Sequence, residues 1–389
     1  MKKRFVCETI FCIKKSIISN NYSKKCEYNR VYRTYEKNKE WSYMKKYNVA
    51  ILGATGAVGQ EFLNLIEERN FPYDNLKLLA SKRSAGKVID FMGKNFVVEE
   101  AVDDSFRNID IALFAGGAAS KTFAPAAVKH GAVVIDNSSA FRMDPAVPLV
   151  VPEVNPEAIK QHEGIIANPN CSTIIMAMAL KPLYDQARIK RIVVSTYQAV
   201  SGAGKEAIDE LDHQVQAIVA KRPVEAHILP SASLAKHYQI AFNVIPHIDV
   251  FVEDDYTKEE MKMVNETQKI FNDSSIAITA TTVRVPVYRS HSESINIEFE
   301  KEITPEGAKK LLAAFPGVIL QDDPTEMLYP MPLFTSNRNE VFVGRVRKDN
   351  SIPNALNLWV VGDQIRKGAA LNALQIAEYM IEHNLIGVK

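Results

Sequence analysis

Between residues 48 and 139 the chain alternates short runs of apolar, largely β-branched residues with segments of helical spacing. The run NVAILG (48–53) leads into a glycine-rich turn, and Val58, Phe62, Ile66 and Arg69 then recur at helical spacing. This order predicts strand, tight turn and helix. Further strands are predicted at 76–81 (LKLLAS), 109–117 (IDIALFAGG) and 131–139 (GAVVIDNSS), with a helix-like SKTFAPAAVKH between the last two. Repeated strand–helix alternation predicts an α/β fold, a Rossmann-type doubly wound parallel sheet covered on both faces. Further on, CSTIIMAMALKPLYD (171–185) reads as an apolar helix, and RIVVSTYQAVSGAGKEAIDEL (191–211) as strand, loop and helix. TTVRVPVYRSHSESINIEF (281–299) alternates like a strand on both sides of a middle that holds Pro286, two arginines and a histidine.

At 389 residues the chain has room for two domains and a sizeable core. Its near-neutral total charge hides a split. Residues 1–46 hold 13 of the 47 Lys and Arg against 4 of the 46 Asp and Glu, which leaves 34 against 42, a net of −8, for residues 47–389. That acidic body carries no nucleic-acid footprint. The longest apolar run, near Ile174 to Leu180, is too short to span a bilayer, so no membrane partner is expected. Cys7, Cys12 and Cys26 lie in the basic leader, and Cys171 is the only cysteine of the body. One cysteine makes neither an internal disulfide nor a cysteine-based metal cluster, so no metal site is expected, and a reducing, cytoplasmic compartment fits. Lysine pairs break the apolar stretches of the leader, and its four glutamates argue against a targeting segment. Because MKKYNVAILGATG from Met44 looks like a natural start, residues 1–43 are read as a disordered extension or a mis-assigned start, whose removal should leave activity intact.

The turn Gly53-Ala-Thr55-Gly56-Ala57-Val58-Gly59 is spaced G-x-x-G-x-x-G. Small residues there let the backbone approach a pyrophosphate while the free N–H groups of the following helix point at it. The next strand ends in Ser81-Lys82-Arg83-Ser84, where two cations and two hydroxyls suit a 2′-phosphate better than the acidic residue an NAD site places there. The coenzyme expected is NADP; a solvated loop is the plainer alternative. Asn170 is placed as the N-cap of the helix at 171, with Cys171 in its first turn, where the helix dipole favours a thiolate. From the residues alone, Cys171 is either a small buried hydrophobe or a nucleophile. Gln198 is a neutral donor and acceptor near the end of its strand. Arg284 and His291, seven apart, fall on opposite faces of a regular strand, unless a break at Pro286 turns both toward one site.

Taken together and in order, GATGAVG, LASKRSAGK, DNSSAFRMD, VVPEVN, NPNCST, STYQAVSGAG, RVPVYRSHS and KGAALN resemble the bacterial aspartate-semialdehyde dehydrogenases, from about Tyr47 to the C-terminus. The resemblance implies an NADP-binding domain at 44–170, completed by a C-terminal helix at 364–389, and an α+β catalytic and dimerisation domain at 171–363. It implies that Cys171 is the nucleophile, His291 the acid–base residue, and Gln198 the group that orients the acyl intermediate. Arg284 would hold the substrate α-carboxylate, Glu259 its α-amino group, and Lys262, Arg142 and Asn170 inorganic phosphate. Gly53, Thr55, Gly56, Ala57, Val58 and Gly59 would form the pyrophosphate turn, Arg83 and Ser84 would take the 2′-phosphate, and Ser201 and Gly202 would lie near the nicotinamide. Where relatives often carry Asp-Asn, this chain has Asp363-Gln364, which leaves the coenzyme contact of Gln364 open. The implied reaction reduces 4-aspartyl phosphate to aspartate semialdehyde through a cysteine thioester, for lysine, threonine and methionine synthesis, in a homodimer or homotetramer.

Three other readings compete. An N-acetyl-gamma-glutamyl-phosphate reductase shares the fold and the cysteine chemistry, but its acylated amine gives Glu259 no ammonium to bind. A short-chain epimerase or reductase would need a Tyr-x-x-x-Lys pair; Tyr184 and Arg188 come nearest and do not match. A non-catalytic NADP-sensing module would lose nothing on Cys171→Ala.

Overall fold

The structure, a computed structural model, describes residues 45–387, so the reading of residues 1–43 lies outside the described residues. The chain first builds a six-stranded sheet from β1 (Tyr47–Leu52), β2 (Tyr73–Ala80), β5 (Glu99–Glu100), β6 (Ile111–Phe114), β7 (Val133–Asp136) and β8 (Ile165–Ala167). A small antiparallel ribbon of β3 (Val88–Phe91) and β4 (Lys94–Val97) stands apart from it. The sheet order is β5-β2-β1-β6-β7-β8, with every pair parallel. This is the doubly wound arrangement, and ligands of such sheets bind beyond the carboxyl ends of the strands where the order reverses, here between β1 and β6.

Both faces are covered because both sets of alternating side chains are apolar. Ala50, Leu52, Ala112, Phe114 and Val134 pack with Ala124 and Ala127 of helix α2 (Ala119–Lys129), while Val49, Ile51, Ile111, Leu113 and Ile135 are also buried. The continuous apolar runs of the sequence are thus the signature of a parallel sheet buried on both sides. Helix α1 (Ala57–Glu68) follows β1.

Helix α3 (Cys171–Ala187) then opens the second half, with every residue from Ser172 to Leu180 buried. A second six-stranded sheet wraps one side of it. Its strands are β9 (Ile189–Ala199), β10 (Ala277–Val285), β11 (His291–Phe299), β12 (Val318–Leu320), β13 (Val341–Lys348) and β14 (Ala355–Gly362), in the order β10-β9-β11-β14-β13-β12. Its pairings mix parallel and antiparallel. Ile192, Val194, Ile295, Ile297, Leu356, Leu358 and Val360 share one core with the apolar residues of α3. Helices α4 (Lys205–Val219), α5 (Lys258–Phe271) and α6 (Pro305–Ala314) belong to this half, with a single helical turn at Pro332–Thr335.

The C-terminal helix α7 (Leu371–Glu382) returns to the first sheet and packs against α1. Arg69 at the end of α1 donates from Nε and Nη2 to the two carboxylate oxygens of Glu378, both at 2.7 Å, a bidentate tie between the two helices. Among the described residues no helix is long and apolar enough to cross a membrane.

Candidate active site

The first wall of the site is the β1–α1 turn. Gly56 precedes α1 in extended conformation without a side-chain cap, so the first N–H groups of the helix remain available to an anion. Gly59 is required by contact: a Cβ there would lie 2.3 Å from the carbonyl oxygen of Gly53. The turn opens on a cavity of about 540 Å³ lined by Gly53, Thr55, Gly56, Ala57 and Val58 on one side and by Arg83 and Ser84 beyond β2. Ser201, Gly202 and Gln364 line its far end, together with Arg142, Asn170 and Cys171. Of the eleven residues expected to meet the coenzyme, Gly59 alone is absent from the lining; it supports the turn from behind. Arg83 is exposed in a short turn at the cavity mouth, with Ser84 buried beside it. These residues fit a phosphorylated dinucleotide: free helix N–H groups for the pyrophosphate, a guanidinium and a hydroxyl for a further phosphate, and a crevice that ends at a cysteine.

Gln364, whose length left its contact open in the sequence, reaches two groups of the site. It accepts the Ser290 N–H on Oε1 at 2.8 Å and donates from Nε2 to Ser201 Oγ at 2.5 Å.

The second wall is the first turn of α3. Asn170 caps it, its Oδ1 accepting from the N–H groups of Ser172 (3.0 Å) and Thr173 (3.3 Å). The same residue donates from Nδ2 to Glu259 Oε1 at 2.9 Å and from its backbone N–H to Glu266 Oε2 at 2.6 Å. One polar residue thus starts the helix and also joins it to α5, which explains why a polar turn precedes so apolar a run.

Cys171 keeps some exposure to the cavity, yet the protein packed around its sulfur withholds water from an anion. The helix terminus therefore does not leave a ready thiolate: burial first, and the Glu259 charge second, push the thiol up to about 12, against the pull of Arg142 and Arg284. This differs from the expectation that the helix dipole favours a thiolate there, because burial and the Glu259 charge outweigh the dipole.

Three adjacent strands carry the next groups. β10 and β11 flank β9 on its two sides, so Pro286 marks a change of strand rather than a bulge within one. Arg284 on β10 pairs in register with Gln198 on β9, and His291 opens β11 beside them. Both converge on Ala199: Arg284 Nη1 donates to its carbonyl at 2.7 Å, and its N–H donates to His291 Nδ1 at 3.1 Å. With Nδ1 accepting, the neutral imidazole carries its proton on Nε2. Burial, with the Arg284 charge behind it, lowers the His291 pKa to about 3, so the ring is neutral at ordinary pH.

Arg284 Nε and His291 Nε2 are buried and make no hydrogen bond within the protein. Both side chains border Gly202, where a Cβ would stand 2.9 Å from Arg284 Nη1 and 3.3 Å from His291 Nε2. Two buried donors without a partner, Nε of Arg284 and Nε2 of His291, leave hydrogen bonds for a ligand to complete.

Glu259, 5 % exposed, gathers the remaining groups. Its Oε1 accepts from Asn170 and from Gln198 Nε2 (3.1 Å), and its Oε2 from Lys262 Nζ (2.9 Å). Burial alone would raise its pKa; Lys262 and the amide donors hold it at about 2. Gln198 also donates to Ser172 Oγ at 3.0 Å. Lys262 extends to Asp249 Oδ2 at 3.0 Å, so its ammonium sits between two carboxylates. Arg142 is tied to Glu266 (3.0 Å) and to the carbonyls of Asn168 (2.9 Å) and Asn137 (2.8 Å) while still lining the cavity. Cys171, Gln198, Glu259, Arg284, His291, Asn170 and Arg142 are therefore brought together, with Lys262 behind Glu259. Glu266 and Ser172 belong to the same network, while Arg289, two residues before His291, binds Asp363 and Glu61 instead; all three escaped the sequence reading. Only Arg289 left a signal there, as the second arginine between the two strands.

A doubly wound sheet with a dinucleotide cavity that ends on a cysteine, beside an arginine and a histidine from a mixed sheet, defines an oxidoreductase that handles an acyl group. Family comparisons agree segment by segment: residues 48–162 match the semialdehyde dehydrogenase NAD-binding domain, and residues 180–367 the semialdehyde dehydrogenase dimerisation domain. The chain is 58 % identical over 344 residues to aspartate-semialdehyde dehydrogenase of Aquifex aeolicus, covering 87 % of this chain and 99 % of that one. It is 54 % identical over 341 residues to the Bacillus subtilis enzyme of the same name, again across 87 % and 99 %. The crystal structure of aspartate semialdehyde dehydrogenase II from Vibrio cholerae, complexed with ASA, superposes with a TM-score of 0.82 at 49 % identity, over 87 % of this chain and 99 % of that one. The chain belongs to the aspartate-semialdehyde dehydrogenase family.

Proposed function

We propose that the protein reduces L-4-aspartyl phosphate to L-aspartate 4-semialdehyde with NADPH, through a thioester on Cys171, and that it works as a homodimer or a pair of dimers joined through the second sheet. The observation that carries the reading is a dinucleotide cavity whose lining includes Cys171, with Arg284 and His291 against its Gly202 and the Glu259 charge acting on the thiol.

In this reading Arg284 receives the substrate α-carboxylate on its bare Nε side, and Glu259 receives the α-ammonium group. The ammonium offsets the Glu259 charge, the second cause after burial of the raised Cys171 thiol, so substrate favours the thiolate, whose proton leaves to water in the cavity. The thiolate adds to the acyl carbon, the S–C bond forms, and the C–O bond to phosphate breaks, with Arg142, Asn170 and Lys262 accommodating the released anion. His291, expected as the acid–base residue, holds its proton on Nε2 here, and in this reading that N–H stabilises the negative charge that builds on the acyl oxygen in both halves of the reaction. The side-chain amide of Gln198, fixed by Glu259 and Ser172, orients the thioester. NADPH, when bound, would supply a hydride to the thioester carbon; the C–S bond then breaks, releasing the aldehyde and returning Cys171 as the thiolate. The seat for a free ammonium at Glu259 favours this substrate over an N-acylated glutamyl phosphate.

The test is NADPH formation from L-aspartate semialdehyde and NADP⁺, with and without phosphate, for wild type and Cys171→Ser. Phosphate-dependent turnover that collapses by at least about a thousandfold in the variant is expected. Wild type inactive on this aldehyde but active on N-acetyl-glutamyl phosphate would overturn the substrate, and full activity of the variant would overturn the thioester.

A further inference from the structure

The acyl chemistry leaves the half-buried Arg289 without a task. Arg289 stands two residues before His291, and its guanidinium spans two carboxylates: Nε donates to Asp363 Oδ2 at 2.5 Å and Nη2 to Glu61 Oε2 at 3.0 Å. Glu61 is 5 % exposed and Asp363 is fully buried. Glu61 belongs to α1, just past the glycine turn that opens the dinucleotide cavity. Asp363 precedes Gln364, which lines that cavity and binds both Ser290 and Ser201.

The turn that Arg289 holds is a strained one. Ser290, between Arg289 and His291, has φ +75°, a left-handed conformation that side chains with a Cβ rarely adopt. Such a conformation persists where its surroundings over-determine it. Here the Gln364 side chain takes the Ser290 N–H, Thr335 Oγ1 donates to Ser290 Oγ, and Ser336 Oγ donates to the Arg289 carbonyl.

We propose that Arg289 is a positioning residue: through Glu61 and Asp363 it fixes the turn that carries His291 relative to helix α1, and so links the seat of the dinucleotide to the geometry of the acyl site. The proposal rests on the reading of His291 and of the cavity given above. An arginine suits the task because its planar fork addresses two carboxylates in fixed directions, whereas a lysine ammonium offers a single point of charge.

A plain ion pair between the two halves would stabilise the protein equally with or without the imidazole, whereas a positioning contact matters only while His291 has a ring to place. A double-mutant cycle separates the two. Steady-state kcat/KM for the semialdehyde and the NADP dissociation constant are measured for R289M, R289K and E61Q, each in the wild-type and the H291N background.

In the wild-type background R289M is expected to lose about tenfold in kcat/KM, a misplacement effect rather than loss of a reacting group. E61Q, which also weakens the contact of Arg366 Nε with Glu61 Oε1 (2.7 Å), should follow in the same direction, and R289K should recover part of the loss. In the H291N background R289M should change the residual rate by less than about twofold. Equal losses in both backgrounds, or an R289M protein with undiminished kcat/KM, would overturn the proposal. If R289M does not fold, R289K and E61Q complete the same cycle. An H291N protein as active as wild type would instead overturn the assignment of His291 itself, a result that the cycle reports separately.

Discussion

Glu293 lies two positions after His291 on β11, so the two side chains share a face of the strand, and its register partner on β9 is Thr196. It is fully buried, and neither carboxylate oxygen has a hydrogen-bond partner. Burial raises its pKa well above the usual carboxylate range, so the group is held as a neutral acid. The linkage follows in sign. Below about pH 4.5 folded and unfolded chains both carry the proton; as pH rises, the unfolded chain releases it while the folded chain keeps it, so stability declines until the folded group ionises. Glu293→Gln keeps the shape and removes the titration. Unfolding of wild type and variant, compared between about pH 5 and 9, should show the wild-type midpoint falling with pH relative to the variant. Parallel curves would mean that Glu293 ionises within the fold. Nothing in HSES (291–294) distinguishes this glutamate from a surface one, because alternation gives the same face to a buried acid as to any strand residue.

At the scale of the element, the first turn of α3 is where local and tertiary requirements meet. Asn and Asp are comparable N-caps in an isolated helix. Here Asn170 must also donate to Glu259, which an aspartate cannot do, and an aspartate would place a second anion beside the thiol. Asn170→Ala is expected to cost about 1 kcal/mol of stability through the lost cap. Asn170→Asp should retain more of that stability but lose more kcat/KM, with the thiol titrating higher still. Denaturant unfolding and the pH dependence of Cys171 alkylation check the pair, and an aspartate variant more active than the alanine one would refute the account. Asn170 as cap and Cys171 as first helical residue were legible because caps are local chemistry. The β1–α1 turn was legible for the same reason. The meeting of Arg284 with His291 was not, because a seven-residue spacing becomes a shared site only when both strands pair with β9. Lys262 was placed near phosphate by resemblance, but its pairing with Asp249 as well as Glu259 follows only from the folded chain.

Across the whole molecule, the strand that bears Gln198 has two faces with different fates. Thr196 and Gln198 point into the site, while Ser195 and Tyr197 point away from it, in line with Ser294, Asn296, Asn357 and Trp359 of the neighbouring strands. That outer row is half-exposed, apart from the more open Tyr197 at 37 %, and the Tyr197 and Trp359 rings meet there with centroids 5.5 Å apart. Aromatic residues on a polar, uncovered sheet suit an interface of about 800 Å² per partner, and this half of the chain matches a dimerisation domain. If two copies pair through this face, each supports the back of the other's β9, and the site behind Gln198 depends on the assembly. Tyr197→Arg in every copy would set like charges against each other across a twofold axis. Sedimentation should then show monomers where wild type shows dimers or tetramers. kcat/KM should fall with the dimer population and recover as protein concentration drives reassociation. A Tyr197→Arg protein that sediments as wild type would move the interface to another face. Monomers with full activity would show instead that the site is complete within one chain, held by α3 and the Glu259 network alone.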